Sequence, residues 1–165
     1  MRRAKARLRG LRSESGSALI ELALVTGFLG VPLLLGTAQM GILAYDSVEV
    51  SNAANAGALY GMRNGTFAAD SNGITTAARA DASDFGNNLV VTSSAYYVCA
   101  TAMTGTQYLG VNGKTNATAA CTGAGNHGIQ LVQVNTSVSV TPTIHWSVLT
   151  SSLTLRGTSV MGVQQ

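Results

Sequence analysis

From Leu22 to Tyr45 the chain runs 24 residues without a formal charge. At about 1.5 Å per residue, a helix of that length is roughly 36 Å long. A bilayer core is about 30 Å thick, so the run is long enough to span one with some tilt. The acid that precedes it, Glu21, sits at its very start. A carboxylate dragged to the bilayer centre would cost up to about 3 kcal/mol. Its place beside a Gly-Ser junction therefore calls for a specific role.

Charge is distributed to match. Six basic residues (Arg2, Arg3, Lys5, Arg7, Arg9 and Arg12) precede the run, with Glu14 as the one acid among them. A basic cluster before an apolar span is the positive-inside signal, which holds the N-terminus in the cytoplasm and sends the C-terminal part across. Residues 17–165 carry four basic residues and six acids, so the net charge of +3 belongs to the leader. The basic segment is thus read as an orienting signal, and nucleic acid is not expected as a partner. Charged residues make up only 10% of the chain, which fits an anchored or assembling protein better than a free cytosolic enzyme.

Three segments follow: a basic cytoplasmic leader (1–16), a transmembrane helix (17–45) and a periplasmic α+β domain (46–165). Gly27, Gly30, Gly36 and Gly41 lie along the span, where small residues let helices approach closely, with ordinary lipid-facing sequence as the alternative. Pro32 is expected to kink the helix. Beyond Asp46 the spacing of Val48, Ser51, Asn52, Asn55, Ala56 and Leu59 continues the helix, with Ala53, Ala54, Gly57 and Ala58 giving a surface for close packing. Gly61 and Asn64-Gly65 end or turn it. Asp70-Ser71-Asn72-Gly73 is a turn or cap, and Ile74 to Phe85 reads as a short amphipathic helix.

Leu89 to Cys99 is rich in β-branched and aromatic residues and reads as a strand. Residues 100–128 show no sustained period and read as one long loop. Ile129 to Thr141 reads as the clearest strand, alternating apolar and polar from Val132 to Val140 with a slip at Thr136-Ser137, until Pro142 breaks it. His145-Trp146 and the Leu149-Thr150-Ser151 region form a connection, and Ser152 to Met161 gives a last strand. The fold class is therefore α+β: a long N-terminal transmembrane helix continuing into a small domain with a short helix and about three antiparallel strands. The apolar face of the strands must be covered, and the helices beyond the membrane are available to cover it.

Cys99 and Cys121 both fall in the part expected to be exported. An even pair in an oxidising compartment reads as one disulfide, with two unrelated thiols as the alternative. The bond would close a loop of about 23 residues and contribute roughly 3 kcal/mol in the chain-entropy model.

Other motifs fail on spacing. Gly113-Lys114-Thr115 lacks the earlier glycine of a phosphate-binding loop, since Tyr108 stands there. Gly157-Thr158-Ser159-Val160-Met161 misses the last position of a nucleophile elbow. His127 and His145 are far apart and have no flanking carboxylate. Asn64-Gly65-Thr66 and Asn116-Ala117-Thr118 match a glycosylation sequon that is frequent by chance. Trp146, Tyr96, Tyr97 and Tyr108 read as core or surface aromatics. The sequence thus offers no catalytic residue, cofactor or metal ligand, and an enzyme or small-molecule binder has no supporting constellation.

Gly16-Ser17-Ala18-Leu19-Ile20-Glu21 resembles a prepilin-peptidase recognition site. A basic leader ends in Gly16, the cut would follow it, and Glu21 stands fifth in the chain that begins at Ser17. The resemblance implies that the carboxylate of Glu21 pairs with the new terminal amine of a neighbouring subunit, which offsets its desolvation and fixes register. Together with the apolar run and the stretch Val50-Ser51-Asn52-Ala53-Ala54-Asn55-Ala56-Gly57-Ala58-Leu59-Tyr60, this start is similar to the TadE-like pilus assembly family, the pseudopilins of the tight-adherence (Flp) system. The similarity covers about residues 10–62. Leu22 and Leu59 depart from the aromatic and basic residues frequent there, which leaves TadG- or TadF-like relatives as an alternative. The resemblance implies a single-pass inner-membrane protein that is a substrate of a prepilin peptidase, with other pilins, pseudopilins, platform proteins and membrane lipid as partners. The competing expectation from another class is a signal-anchored periplasmic binding domain in which Gly16 and Glu21 have no role. A conventionally cleaved secreted protein is disfavoured by the length of the apolar run.

Overall fold

The computed structural model describes residues 16–142 and 152–164. Residues 1–15 of the basic leader and the His145-Trp146 and Leu149-Thr150-Ser151 connection lie outside the described residues. The chain divides into two compact units, up to Leu43 and from Ala44 onward.

The first unit is helical throughout its described part. It is the beginning of α1, a helix of 46 residues, Gly16–Gly61, whose most apolar window has no buried side chain. Phe28, at 83% exposed, is the extreme case. Such a surface is unstable in water and suited to lipid or to other helices. The helix widens to a π-turn over Thr26–Gly30, where the Val31 N–H reaches back to the Thr26 carbonyl. Proline explains the position. Pro32 has no N–H to give to the Phe28 carbonyl, and its ring presses on that carbonyl. A π-turn one turn earlier accommodates the missing bond. The departure from α-geometry lies in Thr26–Gly30, just before Pro32, and the helix is regular from Val31 onward.

The second unit contains the rest of α1, two short helices α2 (Gly65–Ala69) and α3 (Ser71–Asp81), and then β1 (Val90–Cys99), β2 (Tyr108–Leu109), α4 (Gly113–Ala120), β3 (Gly128–Val140) and β4 (Leu153–Gly162). The four strands form one antiparallel sheet in the order β2-β1-β3-β4. The α+β class and the two long central strands agree with the sequence reading. Three features correct it. The segment 100–128 is not one structureless loop but carries β2 and α4. The amphipathic helix is Ser71–Asp81, starting three residues before Ile74 and stopping four before Phe85. The alternation of β3 does not slip at Thr136-Ser137. Thr136 keeps its place among the inward residues Val132, Val134 and Val138, because its hydroxyl donates to the Val50 carbonyl at 2.7 Å. Satisfied in this way, a threonine fits a buried site that its polarity alone would disfavour.

Caps define the short helices. The Asn64 side chain accepts from the N–H groups of Thr66 and Phe67 at 2.9 and 3.1 Å and starts α2. Asp70 accepts from the Gly73 N–H at 2.9 Å and starts α3. The Tyr60 hydroxyl donates to the other Asp70 oxygen at 2.9 Å. The Gly73 N–H first, and then the Tyr60 hydroxyl, hold the Asp70 carboxyl below its usual range. A Cβ at position 73 would collide with the Asp70 carboxylate and the Tyr60 ring, so a side chain there would displace the Tyr60–Asp70 pair.

Candidate functional site

In the second unit, one face of α1 is made of small residues. Val50, Ala53, Ala54, Gly57, Ala58 and Gly61 are its buried positions. They recur at the spacing that keeps one side of a helix facing inward. This stripe lies on the inward side chains of the sheet. A Cβ added at Gly57 would meet Ile74 and Val134 at 3.2 Å, and one at Gly61 would meet Val132 at 3.0 Å. The sheet answers with a glycine of its own. At Gly157 an added Cβ would lie 2.6 Å from the Val50 carbonyl oxygen and 2.8 Å from the Ser51 Cα. Helix and sheet therefore approach to backbone contact. Two apolar clusters flank the seam: Val50, Ala53, Ala78, Ala82, Leu89 and Val138 form one, and Ala58, Ala68, Ile74, Val132, Val134 and Val163 the other. The helical spacing of 48–59 marked the helix in the sequence. The glycine at 157, buried in the matching strand, carried no such signal.

Beside the seam, α1 and the turn after α3 bring four carboxylates together. Asp46 and Glu49 come from α1, Asp81 from the end of α3 and Asp84 from the turn. A cavity there is lined by Tyr45, Val48, Glu49, Asn52, Asp81 and Asp84, among others. Among the described residues, one Glu49 oxygen is buried without a hydrogen-bond partner. Burial first, and then the negative charge of Asp84, Asp46 and Asp81, push the Glu49 carboxyl up from its ordinary value, while the Asp84 backbone N–H opposes the rise. Sequence reading did not single out this cluster, because its members are 38 residues apart in the chain between Asp46 and Asp84.

The residues singled out from the sequence fall into two groups. Gly16, Ser17 and Glu21 stand on exposed helix at the start of α1. Gly27, Gly36 and Gly41 have open space where a Cβ would be, and Gly30 meets only its neighbour Thr26. Cys99 and Cys121 are joined, with their Cα atoms 5.3 Å apart. The bond ties the end of β1 to the residue that follows α4, and α4 packs Ala117 against Gly128 at the start of β3. The disulfide thus fastens α4 and β2 to the end of the sheet opposite Val50. The loop it closes presents Met103, Leu109 and the fully exposed Val111 to its surroundings.

Among families of known proteins, the one described as TadE-like protein matches at residues 16–59. No curated protein and no solved structure matches the chain significantly. The matched stretch begins at the Gly16-Ser17 junction, includes the whole exposed apolar run, and ends within the small-residue stripe that lies on the sheet. Residues 16–59 are a TadE-like family domain.

Proposed function

We propose that the protein is a TadE-like pseudopilin that acts in the assembly of a tight-adherence pilus and is cut by a prepilin peptidase between Gly16 and Ser17. The observation that carries this reading is the family match, which starts at Gly16 and takes in the entire apolar run from Leu22 to Tyr45. The helix is long and apolar enough to cross a bilayer. The basic leader then places the N-terminus in the cytoplasm and the sheet domain in the periplasm of a bacterial inner membrane. An oxidising periplasm accommodates the Cys99–Cys121 bond. The chain serves as a substrate and an assembly component, with the peptidase, other pilins or pseudopilins and the membrane platform as its partners.

In this account Glu21 has one task. Standing five residues into the mature chain, it pairs with the terminal amine of a neighbouring Ser17 and sets axial register. A carboxylate and an ammonium at the membrane edge offset each other's desolvation only when both are present. Glu21→Ala is expected to reduce pilus assembly tenfold or more, on the order of 1.4 kcal/mol of lost pairing, with unchanged membrane insertion and an unchanged sheet domain. Pilus yield by shearing and immunoblot, beside the membrane-bound amount of the variant, checks this. Wild-type assembly by Glu21→Ala would favour the signal-anchored domain instead.

A further inference from the structure

The sheet has two edges, and the hydrogen-bond alternation shows what each offers. The Val163 N–H donates to the Gln130 carbonyl, in register with Leu131 opposite Gly162. Antiparallel ladders alternate, so the odd residues of β4 bond to β3 and the even ones point their N–H and C=O outward. Thr154, Arg156, Thr158, Val160 and Gly162 therefore line the outer edge of β4. On the other side the Ala100 N–H donates to the His127 carbonyl, in register with Cys99 opposite Gly128. By the same alternation Val91, Ser93 and Ala95 point outward from β1. Among the described residues β2 covers this edge only at Tyr96 and Tyr97. Arg156 is the one charge and there is no proline in β4, and the stretch Val90–Ala95 has neither. Among the described residues, these edges therefore carry neither the proline nor the run of charges that often blocks strand addition.

The two edges are complementary. Both strands pair antiparallel with β3, so β1 and β4 run in the same sense. The helix follows them: α1 meets Thr136 at Val50, Val134 at Gly57 and Val132 at Gly61, opposite in sense to β3. Thr92 and Thr158 flank Asn135 in one row and share the sheet face that turns away from α1. In a parallel pair, a residue with outward groups faces one whose groups point inward, and their side chains share a face. Thr158 opposite Thr92 of a second copy meets both conditions.

We propose that copies of this chain add to one another edge to edge, β4 of one beside Val90–Ala95 of the next, with Thr158 opposite Thr92. The contact is head-to-tail, so it extends into an open row and does not close a dimer. It keeps every α1 pointing the same way, as copies held in one membrane require; antiparallel pairing of two β4 strands would reverse one of them. The inference rests on the preceding reading only for that shared membrane. Six residues of β1 span about 20 Å, a contact below the roughly 1,200 Å² of a stable soluble pair. The fitting occupant is therefore one already concentrated nearby, which a second anchored copy is.

The test uses the full chain in its bacterial host, with Thr92→Cys on a copy carrying one tag and Thr158→Cys on a copy carrying another. Membranes are oxidised and the products identified by mass, so that exchange with Cys99 or Cys121 is recognised. Co-expression is expected to yield at least about tenfold more mixed-tag dimer than either variant yields alone. Dimer from Thr158→Cys by itself would mean β4–β4 pairing and overturn the proposal, as would no dimer at all. A benzophenone side chain at position 158 needs no thiol and is expected to capture residues 91–93 of a neighbour; capture elsewhere overturns it equally. The processed N-terminus is read in the same samples. Dimer with an uncut Gly16 would leave strand pairing standing and sink the processing claim, and a cut chain without dimer would do the reverse.

Discussion

Gly157→Val is expected to destabilise the sheet domain by several kcal/mol. Any side chain at 157 starts with a Cβ that would lie 2.6 Å from the Val50 carbonyl oxygen, 2.7 Å from the Thr136 hydroxyl and 2.8 Å from the Ser51 Cα. Two of these are helix backbone, and the third is a buried hydroxyl already committed to Val50. None can swing aside as the end of a long side chain would. To make room, α1 must lift from β3 and β4. That opens the seam at Val50 and Ala53 and takes the buried Thr136 hydroxyl from its 2.7 Å bond to Val50, leaving it the longer 3.4 Å contact with the Gly157 carbonyl. Overpacking alone costs about 1–3 kcal/mol, and weakening the hydrogen bond of a buried hydroxyl adds about 1 kcal/mol. A small domain has about 5–15 kcal/mol in all, so the loss is a large share of the total for a domain at the lower end. Thermal unfolding of the detergent-extracted protein, followed by near-ultraviolet circular dichroism, is the measurement. Gly162→Ala is the control. It lies in the same strand, has open space where the Cβ would go, and is expected to stay within about 1 kcal/mol of wild type. A Gly157→Val protein as stable as this control would disprove the close helix–sheet approach.

Removal of the disulfide, by Cys99→Ser with Cys121→Ser, is expected to cost about 3 kcal/mol. The bond spans 22 residues of sequence. Within that span only the two residues of β2 and the helix α4 have regular structure tying them to the sheet. α4 is short, and a helix of this length is not stable by itself in water. The loss is therefore expected to be local before it is global. Amide exchange should rise across residues 100–127, with protection retained in β3 and β4. Uniform loss of protection over the whole sheet would mean that the loop nucleates the domain. No change in either region would mean that α4 packing suffices without the bond.

Much of this architecture was legible in the sequence, and the reasons are physical. The apolar run from Leu22 to Tyr45 is long enough to cross a membrane and exposes its side chains all round. The β-branched alternation of Val132, Val134, Val138 and Val140 admits only a half-buried strand. What escaped notice involved pairing across long separations. Thr136 looked like a slip because its polarity breaks the pattern, and only the carbonyl of Val50, 86 residues earlier, explains it. The helix α4 begins at Gly113-Lys114-Thr115-Asn116, a weak helix-forming stretch that the disulfide and the contact of Ala117 with Gly128 hold in place. Thr and Asn propensities favour a loop there, and tertiary context overrides them. The cap at Asp70 is legible, but Ser71, Asn72 and Gly73 are weak helix formers that read as turn, and the Asp70 bond to the Gly73 N–H brings them into the first turn of the helix. For the candidate site, the residues at the start of α1 were legible as a motif. The seam between α1 and the sheet was legible only on the helix side.

The most direct measurement is the intact mass and N-terminal sequence of the membrane-extracted protein from its native host, with and without its prepilin peptidase. The account predicts a chain that begins at Ser17 when the peptidase is present and retains residues 1–16 when it is absent. A chain that keeps its leader in both strains would contradict it, as would a cut within the apolar run near Ala38 or Ala44.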